Sequence, residues 1–151
     1  MKRNILLSLL VCLLLITLTS CKSKVISTNK DNYSKYINEF YQYQIGKKEG
    51  YVAVDLRDTD IYAEGHIKGF ISYNYQNSTK EEFINYITGM YNKKTTIFLL
   101  DSDGSLIEEV SSILQELEYK KIYIYTDGYE SLIELAKSDI FIETGLDNCG
   151  C

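Results

Sequence analysis

The chain of 151 residues contains no proline and no tryptophan, and it has a single histidine. It also lacks internal repeats and low-complexity tracts. Four cysteines are present, but none lies between residues 22 and 148, which excludes an internal disulfide framework for the body of the chain. Basic residues number 16 against 21 acidic ones, and this net negative charge argues against a nucleic-acid partner.

The N-terminus has the three parts of a secretory signal. A basic start at residues 2–3 is followed by an apolar run over 5–16 and by small residues before Cys21. A transmembrane helix needs about 20 apolar residues, and this run is shorter. Leu18-Thr19-Ser20-Cys21 resembles the bacterial lipobox, and the resemblance implies that Cys21 is acylated and becomes the first residue of the mature chain. The alternative is an ordinary cleavable signal with an incidental cysteine.

Removal of residues 1–20 changes the charge and sets the domain boundaries. The mature chain would have 131 residues, enough for one domain. It loses two basic residues and no acidic ones, which leaves 14 basic against 21 acidic residues, a net charge of −7. Because that charge does not attract anionic lipid, we expect the acylated Cys21 to hold the protein on the extracytoplasmic face of the cell membrane or the outer membrane. The predicted divisions are a signal peptide (1–20), a lipidated tether (21–30), a domain (31–137) and a tail (138–151).

Apolar strand-like runs alternate with segments of helical period along the domain. This alternation predicts an α/β fold with a mostly parallel sheet and helices on both faces. We expect Ser78 to cap one helix, with Glu81 as its capping-box acid. Sites in such sheets lie beyond the carboxyl ends of strands, here the loops 55–58 and 101–105. The predicted strands are 51–54, 70–75, 95–100 and 121–125, with an edge strand over 25–27, and the predicted helices are 32–43, 59–64, 79–91, 106–117 and 128–136.

Two stretches resemble the rhodanese-like family. Residues 52–58 with 62–69 are similar to its first signature, a strand, Asp-x-Arg, a short helix, then Gly-His-Ile-Pro-Gly. Residues 115–130 are similar to its closing helix, strand and turn. The resemblance implies a rhodanese-like fold in which an Asp–Arg pair and a histidine bonded to backbone are structural. Lys68 stands where the family has proline, and the motif residues here are Asp55, Arg57, Gly65, His66 and Gly69.

The loop after the strand 95–100 departs from the family pattern Cys-x-x-Gly-x-Arg. Counting back from the closing helix places Asp101 at the cysteine, Gly104 at the glycine and Leu106 at the arginine. A carboxylate cannot form a persulfide, and two carboxylates repel anionic sulfur donors. We therefore expect a domain without sulfurtransferase activity, cofactor or metal, which acts as a binding or regulatory module for an unidentified protein partner. The loop comprises Asp101, Ser102, Asp103, Gly104, Ser105 and Leu106.

Two other functions fit parts of the sequence. Residues 97–106 resemble motif I of the haloacid-dehalogenase-like phosphatases, which implies a nucleophilic Asp101, an acid/base Asp103 and Mg²⁺. That family also needs a later lysine and acidic pair, and the 45 residues that follow contain no matching acidic pair. Cys149 and Cys151 form a Cys-x-Cys pair that could support thiol redox or sulfur transfer, the alternative being an end without a role.

Overall fold

The computed structural model describes residues 23–46 and 50–146. Five strands within these residues form a parallel sheet. Its strands lie in the order β1-β6-β5-β2-β4, and every neighbouring pair is parallel. A separate antiparallel pair joins β3 to β7. The bounds are β1 Lys24–Thr28, β2 Tyr51–Asp55, β3 His66–Ile67, β4 Phe70–Ser72, β5 Thr96–Leu100, β6 Lys121–Tyr125 and β7 Ile142–Glu143.

Helices follow the strands in alternation, which confirms the α/β prediction. The α-helices are α1 Tyr33–Gln44, α2 Thr59–Glu64, α3 Lys80–Met90, α4 Ile107–Glu116 and α5 Gly128–Ala136, with 3-10 turns at Lys30–Asn32 and Lys137–Asp139. Most predicted ends lie within one residue of those observed. The exception is β4, which stops at Ser72 where the sequence predicted a strand to residue 75. Among the described residues, no helix combines the length and apolar character needed to span a bilayer.

The core has two layers because both faces of the sheet are covered. On one face, Phe83 and Val110 from α3 and α4 pack against Val54 and Leu99. On the other face, α1 and α5 cover the sheet, and Tyr36 contacts Phe98 edge-on with ring centroids 5.8 Å apart. Alternate residues of a strand point to opposite faces, so strands buried on both faces are apolar throughout. All five residues of β5 are accordingly buried.

The N-cap of helix α3 lies one residue later than predicted. Thr79 is the N-cap residue: its hydroxyl accepts a hydrogen bond from the Glu82 amide at 3.2 Å, and the Glu82 carboxylate accepts from the Thr79 amide at 2.7 Å. The predicted cap Ser78 and capping-box acid Glu81 are therefore wrong by one residue. The Ser78 hydroxyl instead donates to the Tyr75 carbonyl at 3.1 Å, which closes the turn before the helix.

Both ends of the described chain are held by strand pairing. β1 pairs with β6 over five residues, and its position agrees with the edge strand expected at 25–27. The folded unit therefore begins inside the segment 21–30 that the sequence analysis assigned to a tether, because β1 completes the sheet. In the predicted tail, β7 pairs with His66 and Ile67. The predicted lipid-attachment residue Cys21 and the predicted redox residues Cys149 and Cys151 lie outside the described residues.

Candidate functional site

The loop 101–106 leaves the carboxyl end of β5, between β6 and β2, and leads into α4. This is the position where parallel α/β sheets place their sites. The backbone carbonyl of Asp101 accepts a hydrogen bond from the Tyr129 amide at 2.8 Å, which ties the loop to the start of α5. Ser102, Asp103 and Ser105 are exposed, whereas Asp101 is buried.

The Asp101 carboxylate occupies the inside of its own loop. One oxygen accepts from the Gly104 amide at 2.6 Å, and the other accepts from the Leu106 amide at 2.8 Å. The residue is only 1% exposed, so solvent does not compete for these bonds. Burial raises the pKa of Asp101, and the hydrogen bonds from the Leu106 and Gly104 amides oppose that shift. The amides of this loop are thus satisfied by an internal anion.

Asp103 lies on the outside of the same loop. Its carboxylate accepts from the Ser105 amide at 2.9 Å. Hydrogen bonds from the Ser105 hydroxyl and amide lower the pKa of Asp103, so this exposed group is ionised at neutral pH. The solvent side of the loop therefore carries a fixed negative charge.

Two glycines allow the loop to close on the turn after β6. Gly104 has φ +89°, and a Cβ there would overlap the carbonyl oxygen of Thr126. Gly128 has φ +77°, and a Cβ there would overlap the carbonyl oxygen of Ser102. Both positions need a left-handed conformation and a close backbone approach, which together select glycine. The turn 126–128 is therefore part of the site.

Asp55 and Arg57 form a buried ion pair at the end of β2. Arg57 Nε donates to Asp55 Oδ1 at 2.9 Å, and Nη2 donates to Asp55 Oδ2 at 2.8 Å. Nη2 also donates to the Gly65 carbonyl at 2.8 Å. The guanidinium carbon lies 3.4 Å from the centre of the Tyr129 ring. Arg57 is 3% exposed, so its charge is compensated by these contacts rather than by water. The pair therefore stabilises the chain beside the loop, and the buried Arg57 charge is not open to an anionic ligand.

His66 directly follows Gly65, whose carbonyl Arg57 contacts, and Gly69 lies in the turn after β3. The His66 ring stacks on Tyr62 with centroids 3.8 Å apart, and its Nδ1 lies 3.1 Å from the Tyr62 carbonyl oxygen. Gly69 has φ +91° in the turn between β3 and β4, and a Cβ there would strike the Gln44 side chain. These contacts of both residues are with backbone and packed side chains of the fold.

Sequence reasoning missed Tyr129 as a member of the site. It bonds the Asp101 carbonyl through its amide and stacks under Arg57 through its ring, so it links the loop to the Asp55–Arg57 pair. A signal was present, since Tyr129 follows Gly128 in the closing turn. The contact itself depends on β5 and β6 being neighbours in the sheet. Among the described residues, no group of three or more His, Cys, Asp or Glu side chains is arranged to hold a metal ion.

A family comparison identifies the domain. The rhodanese-like domain family matches residues 38–134, more than half of the chain. The chain belongs to the rhodanese-like domain family. Searching the curated proteins by sequence gave no match.

Solved structures show the same fold. The crystal structure of the Alr3790 protein from Anabaena sp. superposes with a TM-score of 0.59 at 14% identity, covering 74% of this chain and 80% of that one. BH2092 from Bacillus halodurans gives 0.54 at 18% identity, covering 78% and 76%. Saccharomyces cerevisiae Ygr203w, described as a homolog of single-domain rhodanese and the Cdc25 phosphatase catalytic domain, gives 0.51 at 12% identity, covering 84% and 92%. At these identities the likeness concerns the rhodanese-like fold alone.

Proposed function

We propose that this rhodanese-like protein is a membrane-anchored, extracytoplasmic binding or regulatory module without sulfurtransferase activity. The observation that carries the proposal is the Asp101 carboxylate, held by the Gly104 and Leu106 amides at 2.6 and 2.8 Å. In active rhodaneses, as the resemblance implies, the amides of this loop serve a cysteine thiolate. A carboxylate has no sulfur to carry, and here it fills the position with its own charge.

The charge around the loop supports the same conclusion. An anionic sulfur donor such as thiosulfate would approach the ionised Asp103, with Leu106 at the position assigned to arginine. The neighbouring guanidinium of Arg57 is buried and paired with Asp55. Like charges on the outside of the loop repel such a donor, and no arginine of the loop attracts it.

The anchoring part of the proposal has its support in the sequence. A signal-like segment ends in Leu18-Thr19-Ser20-Cys21, and β1 begins at Lys24. Growth with a radiolabelled or clickable palmitate should label the wild-type protein in membranes. The Cys21→Ala variant should lose the label and accumulate as the uncleaved precursor. Equal labelling of the two proteins would contradict acylation at Cys21.

A thiosulfate–cyanide assay tests the absence of sulfur transfer. We expect residues 22–151 to show only the uncatalysed rate, and the Cys149→Ser/Cys151→Ser variant to behave the same way. Activity that disappears in the double variant would contradict the binding module. It would instead support the alternative in which Cys149 and Cys151 carry thiol-redox or sulfur-transfer chemistry.

A designed thiol tests whether Asp101 occupies the nucleophile position. In the Cys149→Ser/Cys151→Ser background, the thiolate of Asp101→Cys faces the two amides and should take the outer sulfur of thiosulfate as the thiosulfate S–S bond breaks and sulfite leaves. The resulting persulfide is measured as the added mass of one sulfur atom. Ser102→Cys is the matched control, since it puts a thiol on the exposed outside of the same loop. Equal sulfur uptake by the two thiols would contradict the assignment of Asp101.

A Mg²⁺-dependent phosphatase assay tests the remaining alternative. Asp101 would have to attack a phosphoryl group while Asp103 acts as acid/base, but both Asp101 oxygens are engaged by loop amides. We expect no Mg²⁺-dependent hydrolysis of p-nitrophenyl phosphate. Turnover that Asp101→Asn abolishes would favour the phosphatase-like site over the binding module.

A further inference from the structure

Lysines collect at the edge of the sheet opposite the Asp101 loop. The five parallel strands start at this edge, and Lys24 and Lys121 open β1 and β6 as register partners. Backbone hydrogen bonds join the segments that lead into β1, β5 and β6. The Lys24 amide donates to the Lys120 carbonyl at 2.9 Å, and the Lys120 amide donates to the Lys93 carbonyl at 3.0 Å. We call this set the lysine edge, and it comprises Lys24, Lys93, Lys94, Lys120 and Lys121.

The lysine edge has an excess of positive charge. Glu118 lies 3.3 Å from the Lys93 amine, and both side chains are 58% exposed, so this pair is open to competition from other anions. Glu39 accepts from the Tyr123 hydroxyl at 2.8 Å, next to Lys121. Among these seven described residues, two acids against five lysines leave three positive charges.

Acidic residues concentrate at the other edge, where the strands end. Asp55 closes β2, Asp101 directly follows β5 and Asp127 lies two residues beyond β6, while the half-buried Asp58 and the exposed Asp103 belong to the loops beyond β2 and β5. A five-residue strand is about 16 Å long, so the two edges are separated by more than a Debye length at physiological salt. The chain is negative as a whole, but the edge where the strands start has an excess of positive charge and the edge where they end has an excess of negative charge.

We propose that the lysine edge rests on the anionic phospholipid headgroups of the membrane and turns the Asp101 loop away from it. The proposal rests on the anchoring proposed above for Cys21. Three residue steps separate Cys21 from Lys24, at most about 11 Å of extended chain. An acylated Cys21 would hold the lysine edge within about a Debye length of the headgroups, where each lysine strengthens association about fivefold. The Asp101 loop is then presented to partners on the far side.

Amine labelling of the lipidated protein tests this orientation. The protein is reconstituted into vesicles of phosphatidylcholine alone or with phosphatidylglycerol, treated with an acetylating reagent and analysed by mass spectrometry. On phosphatidylglycerol vesicles, labelling of the lysine edge should fall about threefold or more, and about 1 M NaCl should reverse the protection. Lys30 and Lys35 serve as internal controls, because they are exposed and follow the carboxyl end of β1.

Matched variants make the test specific. Lys24→Gln/Lys94→Gln removes two exposed charges from the lysine edge and should reduce the protection of Lys120 and Lys121. Lys30→Gln/Lys35→Gln removes the same charge from the opposite edge and should leave that protection unchanged. Equal labelling of the lysine edge on both kinds of vesicle would overturn the proposal, as would protection by soluble polyphosphate but not by vesicles.

Failure of the anchor gives a different result from failure of the lysine edge. If Cys21 carries no lipid, the protein will not float with phosphatidylcholine vesicles at all, which overturns both proposals. If it floats with both kinds of vesicle but its lysine edge labels equally on each, anchoring stands and the orientation is wrong.

Discussion

At the scale of single residues, Asp101 is the buried acceptor around which the loop 101–106 closes. Its carboxylate holds the loop together through two amides, and in the function proposed above it also takes the place of a sulfur-carrying thiolate. The same side chain therefore has a functional consequence and a structural one, and the structural one is measurable without knowing the partner.

Asp101→Ala should destabilise the fold. The Gly104 and Leu106 amides lose their acceptor in a buried place, and an unsatisfied buried donor costs about 1–3 kcal/mol. We expect a loss of about 2 kcal/mol in the free energy of unfolding, measured by urea denaturation. Asp103→Ala, which removes one exposed bond from the same loop, should cost much less. Similar losses for the two variants would contradict the role given to the Asp101 carboxylate.

The stability contribution of Asp101 should depend on pH with a defined sign. Burial raises its pKa above the ordinary value of 3.8, so the folded state binds a proton more tightly than the unfolded state. The difference in unfolding free energy between the wild type and Asp101→Asn should therefore shift against the wild type as pH rises from about 4 through the folded pKa. Above that pH the difference should level off. A shift in favour of the wild type over the same range, in urea titrations at several pH values, would show that the amide bonds outweigh burial.

At the scale of elements, the contact between the loop and the turn after β6 tolerates no side chain. Gly104→Ala would combine a positive φ with overlap on the Thr126 carbonyl, and we expect it to cost about 3 kcal/mol in unfolding free energy. Gly89→Ala is the control, because this glycine lies inside α3 with open space around its Cβ position. That change should stabilise by about 0.5–1 kcal/mol. Thermal unfolding should show a lower midpoint for Gly104→Ala and a higher one for Gly89→Ala. An unchanged midpoint for Gly104→Ala would contradict the close contact with the Thr126 carbonyl.

The cap of α3 provides a second test at this scale. Thr79→Ala removes the hydroxyl that accepts from the Glu82 amide and should cost about 1 kcal/mol. Ser78→Ala, one residue earlier, removes only a turn hydrogen bond to Tyr75 and should cost less. The comparison is made by urea denaturation. A larger loss of unfolding free energy for Ser78→Ala than for Thr79→Ala would contradict the assignment of Thr79 as the N-cap.

At the scale of the whole molecule, β1 belongs to the sheet although it precedes the region matched by the family. It donates from the Lys24 amide to Lys120 and accepts from the Thr126 amide at Thr28, and the Thr28 hydroxyl bonds the Ile124 carbonyl at 2.8 Å. A chain starting at residue 31 should lose cooperative unfolding, because β6 would keep β5 as a partner but lose its partner on the other side and become an edge strand. A chain of residues 22–146 is the control, since it keeps every described residue. Cooperative urea transitions of equal midpoint for both chains would contradict this role of β1.

The fold class and the position of the site were within reach of the sequence because their signals are local. Apolar runs and helical spacing reveal strands and helices over a few residues, and a parallel sheet follows from their alternation. A loop that directly follows a buried strand lies at the carboxyl edge whatever its neighbours are. Asp55, Arg57 and Asp101 could therefore be singled out from the chain alone.

The partners of those residues were decided only by the tertiary structure. Tyr129 meets Arg57 and the Asp101 carbonyl because β6 lies beside β5, and a single sequence does not state strand order. The pairing of β1 with β6 joins residues nearly one hundred positions apart, and the lysine edge forms only when those strands start side by side. Local composition determined the elements of this protein, whereas the contacts that close its loop and separate its charges come from long-range packing.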